Sequence, residues 1–183
     1  MIEITYQTIF QFLQTVGILV GVFYYIMTIR TNQRNEQLQL ETRQAQLLMQ
    51  IYNDWRNPDQ LRLFAKSMQM TWDSYEDFQS KYSVENFEER LPFTSMSYFF
   101  EGVGVLVEEG LVDIELVSKL MSGDLKTHWE KFRPYIIEGR EKRNYPQYFD
   151  KTEYLYNEVE KLRGQEWIEK TLTDITKKEP QTS

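Results

Sequence analysis

One histidine, one tryptophan and one arginine fall close together at His128, Trp129 and Arg133. On a helix, Trp129 and Arg133 lie four positions apart and share a face. The guanidinium could then stack on the indole or hold an anionic ligand. His128 is one position away and is expected to point elsewhere, toward the surface. To act as a general base it would need a nucleophile or a carboxylate partner. Glu101 stands between Phe100 and Gly102 in an otherwise apolar stretch. A carboxylate there must face outward or be buried with a partner, and Arg133 and Arg140 are the expected partners. Arg140, Lys142, Arg143, Asn144 and Tyr145 form a local basic patch with an aromatic group. That composition could hold an anion, or it could be a solvated loop. Glu101, Trp129, Arg133 and Arg140 therefore make up the candidate binding set, and no residue is assigned a catalytic role.

Several chemistries are excluded by what the chain lacks. It has no cysteine, hence no disulfide, no thiolate metal site and no thiol nucleophile. With one histidine, a zinc or iron site would have to be filled by carboxylates. No spacing matches a calcium loop or a Glu-x-x-His di-iron pair. Glu88-Glu89 and Glu108-Glu109 read as solvated faces. Gly102, Gly104 and Gly110 lie in a helical pattern and lack the Lys-Ser/Thr end of a phosphate-binding loop. No metal and no cofactor is expected. The formal net charge is −7. Phosphate backbones call for clustered Lys and Arg, so nucleic acid is not an expected partner.

The charge is unevenly placed. Before Thr31 the only charged side chains are Glu3 and Arg30, so the acidic excess belongs to the chain from Thr31 onward. Residues 4–29 carry no charge at all. As a helix of about 26 residues this run spans roughly 39 Å, against the ~30 Å of a hydrocarbon slab. It predicts a transmembrane anchor with some tilt. A cleaved signal peptide would start basic and end in small residues; here Glu3 comes first and Tyr24-Tyr25-Ile26-Met27 stands near the end. A buried core helix would show a polar face, and this run shows little of one. Arg30, Arg34 and Arg43 lie after the run and no basic residue precedes it. The positive-inside rule then places the N-terminus outside and the remainder in the cytoplasm of a single-pass protein in the cell membrane. Gly17 and Gly21 form a GxxxG pair, which allows two helices to approach closely and marks a candidate oligomerisation face.

The remaining pattern predicts helices only. The anchor (1–30) is expected to run on through a polar juxtamembrane stalk (31–50) into a cytoplasmic helical domain (51–175), with a disordered tail (176–183). Asn57-Pro58-Asp59 reads as a helix start, and Leu61, Phe64, Ala65, Met68 and Trp72 as the buried stripe of that helix. Residues 73–82 read as a break. A central core helix is expected from about Pro92 to Glu109, closed by Gly110 in the left-handed conformation. Asp113 should cap a short helix, Ile114 to Met121, burying Val117 and Leu120. Ser122-Gly123-Asp124 reads as a turn before a helix carrying Leu125, Trp129, Phe132 and Ile136, with Pro134 as a kink. Residues 139–150 read as a loop. A last helix, about 151–173, should bury Tyr154, Leu155, Val159, Leu162 and Trp167. No stretch alternates with period two, so the fold class is all-α, a transmembrane helix continuing into a bundle of about five to six helices.

The block YFFEGVGVLVEEGLVDIELVSKLMSGDLKTHWEKFRPYIIEGRE resembles an uncharacterised prokaryotic family of small membrane-anchored helical proteins. Its elements come in a fixed order. Trp55-Arg56-Asn57-Pro58-Asp59 starts a helix, a Phe-Glu-x-x-Gly-x-Leu-like helix and a Gly-Leu-Val-Asp turn come next, and a tryptophan helix ends in an arginine. The likeness covers most of residues 50–145 and implies architecture but no reaction. Some small membrane-anchored helical proteins are defence ribonucleases that carry Arg, four to six residues, then His. Here Met121-Ser122-Gly123 fills the required arginine window before His128, so that activity does not carry over.

Two functions are expected. The first is a non-enzymatic, membrane-anchored helical domain acting as an adaptor, a sensor or an oligomeric membrane element, with the lipid bilayer and a protein partner or a second copy as its contacts. The second is a membrane-bound defence-type effector or hydrolase with a polar pocket around Glu101, Trp129, Arg133 and Arg140. Convergence of those four side chains would favour the second, and their dispersal the first.

Overall fold

A computed structural model describes the backbone of residues 6–178, and their side chains apart from residue 8 and residues 166–178. Among the described residues every regular element is a helix: α1 (Tyr6–Trp55), α2 (Pro58–Gln69), α3 (Tyr75–Lys81), α4 (Phe87–Glu108), α5 (Ile114–Lys142) and α6 (Asp150–Lys178). The chain divides into two units between Arg43 and Gln44.

The first unit holds the apolar run and the polar residues after it, and its described residues, 6–43, are all helical. Its large apolar side chains are exposed on every side: Phe12 is 68% exposed, Leu19 63% and Phe23 67%. The same residue types in a core helix would be covered by neighbours, so this run is not a core helix within the described chain. It is the chain's one candidate membrane-spanning helix among the described residues.

The second unit is a helical bundle with local signals that match its boundaries. Asn57 caps α2 by accepting a hydrogen bond from the Asp59 amide, with Pro58 in the first turn. Gly110 ends α4 at φ +66°, a conformation that only glycine adopts without strain. Asp113 caps α5 through the amides of Glu115 and Leu116. The core has two lobes. One gathers Leu48, Ile51 and Trp55 of α1 against Met96, Phe100, Val103 and Val107 of α4, with Met121 and Leu125 of α5 and Leu155 and Val159 of α6. The other is aromatic: Phe78, Phe93, Trp129, Phe132, Tyr135 and Phe149.

Several local expectations fail, for identifiable reasons. The supposed break at 73–82 contains α3, started by Ser74, which accepts from the Asp77 amide. Its single buried residue, Phe78, packs on Trp72, Tyr82, Phe93 and Tyr135. One buried residue in a seven-residue helix leaves no periodic pattern to read. The supposed turn at Ser122-Gly123-Asp124 does not exist, because α5 runs unbroken from Ile114 to Lys142 and through Pro134. Met121 and Leu125 on either side of it are both buried, and tertiary packing overrides the turn-like composition. The loop expected at 139–150 shrinks accordingly, since Gly139 and Arg140 are still helical. On α2 the buried polar residue is Ser67, whereas Leu61 is 45% exposed. Leu120 is exposed and Met121 takes its place in the core. Trp167 and residues 179–183 of the expected tail lie outside the described side chains and residues respectively.

Candidate functional site

α4 and α5 carry the four candidate side chains, and the bundle separates them. Trp129 is 1% exposed and lies in the aromatic lobe beside Tyr156. Arg133, one turn along α5, is exposed and among the described residues makes no hydrogen bond or ion pair. It does not stack on Trp129; the cations seated over rings are Arg56, Lys131, Lys142 and Arg143.

Glu101 pairs with neither Arg133 nor Arg140, contrary to expectation. Its two carboxylate oxygens accept from the amides of Lys151 and Thr152, at 3.3 and 2.8 Å, and from the Thr152 hydroxyl at 2.9 Å. These are the unsatisfied donors at the start of α6, so Glu101 serves as a helix cap supplied from another element. Arg140 works on the same junction from the other side. It donates to the carbonyls of Tyr148 and Phe149, at 2.9 and 3.1 Å, and to the Glu153 carboxylate at 2.5 Å. Phe149 holds φ +53°, a strained backbone for an aromatic residue, and the Arg140 bond to its carbonyl helps to fix it. Gly104 lies beneath the same turn, where a Cβ would collide with the Lys151 carbonyl. Two of the four candidates thus build one joint, and the joint is structural.

The basic patch is likewise held by contacts within the bundle. Lys142 is ion-paired with Glu76 and Glu138. Arg143 donates to the hydroxyls of Tyr75 and Tyr135, at 3.0 and 3.1 Å, and sits over the Tyr148 ring. Burial pushes the Tyr148 phenol well above its ordinary range. Gln79 adds a 2.6 Å bond to the Tyr135 hydroxyl. This network ties α3 to the end of α5 and presents no unpaired cationic cluster.

His128 is the largest departure from the sequence reading. It is completely buried, between Phe100 and Phe132, with Nε2 3.1 Å from the Ser97 hydroxyl. Burial lowers its pKa from the usual 6.5 to about 3. A signal for its burial exists in the sequence: it lies three positions after Leu125 and four before Phe132, on the buried stripe. A Ser–His contact could suggest an activated nucleophile. Here both residues are 0% exposed and Nδ1 has no partner to orient it. A substrate has no path to the pair.

Open grooves mark the bundle surface, three of them among the described residues. One, about 410 Å³, lies over Ile51, Asp54, Tyr98, Phe99, Gly102 and Leu106. A second, about 360 Å³, is bordered by Gln44, Asp113, Glu115 and Glu158. A third of similar size lies among Lys66, Gln69, Glu88 and Glu89. None of the three is lined by Glu101, Trp129, Arg133 or Arg140. Among the described residues no group of His, Asp and Glu is arranged to hold a metal ion.

Fold and surface together define an all-helical protein with one candidate membrane-spanning helix at its N-terminal end. The chain belongs to the family described as Domain of unknown function (DUF4760), whose model matches residues 12–159. That match takes in most of the apolar run as well as the bundle. No curated protein and no solved structure matches the chain.

Proposed function

We propose that this is a single-pass membrane protein whose C-terminal helical domain lies in the cytoplasm and acts non-enzymatically, through protein contacts, as an adaptor, sensor or oligomeric membrane element. One observation carries the reading: an uncharged helical stretch, residues 6–29, long enough to cross a bilayer, has its apolar side chains exposed all round. In water such a surface is unstable, and lipid is the solvent that suits it. The family match through that run supports a retained anchor rather than a removed leader. The arginines at 30, 34 and 43 support the inward orientation. The scatter of Glu101, Trp129, Arg133 and Arg140 into core, joint and surface speaks against a hydrolase built from them.

The test is fractionation of cells expressing the full chain. The protein is expected in the membrane pellet, resistant to alkaline carbonate and released by detergent. Recovery in the soluble fraction, or release by carbonate alone, overturns the reading.

A further inference from the structure

We draw no further inference here: the strongest candidate, the groove of about 410 Å³ between the end of α1, the start of α2 and α4, lined by Asp54, Tyr98, Phe99 and Gly102, carries nothing because nothing in the structure shows what covers it.

Discussion

Aromatic and aliphatic residues occupy opposite environments in the two units of this molecule. Phe12 and Phe23 in the first are 68% and 67% exposed, whereas Phe93, Phe100 and Phe132 in the second are 0–1% exposed. Composition does not separate them; arrangement does. Along residues 6–29 of the first unit the apolar groups go all round the helix without interruption by charge, so no face is marked out for water, and under the proposed function the surrounding medium is lipid. In the second they form stripes, with charged groups on the outer faces, so helix packs on helix and the core is internal.

That contrast can be broken from either side. The largest effect is expected from a charge in the uninterrupted run. Leu19→Lys should cost about 3 kcal/mol of insertion free energy and move the chain out of the carbonate-resistant fraction. The same change should leave the thermal transition of the detergent-solubilised bundle in place. Next comes Trp129→Ala, in the striped region. Loss of a large buried aromatic should destabilise the bundle by about 3–5 kcal/mol, seen as a lowered thermal midpoint, while membrane association is unchanged.

Within the bundle, two neighbouring glycines of α4 sharpen the comparison between covered and open faces. Gly104→Ala drives a methyl into the Lys151 backbone and should cost about 1–3 kcal/mol. Gly102→Ala meets nothing within 4 Å and should be neutral or stabilising by up to about 1 kcal/mol. Denaturant midpoints of the two variants should therefore move in different directions from wild type, or that of Gly102→Ala should stay still.

His128 gives a pH signature of the covered side. Its folded pKa, about 3, lies below the ordinary 6.5, so the unfolded chain takes up a proton first as pH falls. The neutral histidine's contribution is complete above about pH 6.5 and is lost toward pH 3. Its slope is about 1.4 kcal/mol per pH unit. Between pH 6.5 and 5, before carboxylates titrate, stability should fall with a slope that steepens toward this value, and His128→Leu should flatten it. Glu101→Gln is a small change. Removing the charge that caps α6 should cost about 1 kcal/mol, read as earlier unfolding at neutral pH.

How much of this was legible in the sequence depended on whether the deciding interaction was local. The uncharged run, the Asn57-Pro58 start, the Gly110 stop and the Asp113 cap are decided within a few residues, and all were readable. α3 was not, because its one buried group, Phe78, depends on rings from α4 and α5. The turn-like Ser122-Gly123-Asp124 was overruled by distant packing, and Asp124 instead accepts the Trp55 indole N–H at 3.1 Å. Glu101 and Arg140 stand out in the sequence by their charge. Their partners, the first turn of α6 and the strained Phe149, lie 9 to 51 residues away in the chain and leave no local trace.

The assignment of the two environments to lipid and cytoplasm is tested most directly by accessibility across the membrane. Gln7→Cys and Lys119→Cys, each the sole thiol of its chain, are treated in intact cells with a maleimide that cannot cross lipid. The account predicts labelling at position 7 before permeabilisation and at position 119 only after it. Labelling of both positions from outside, or of position 119 alone, would contradict it.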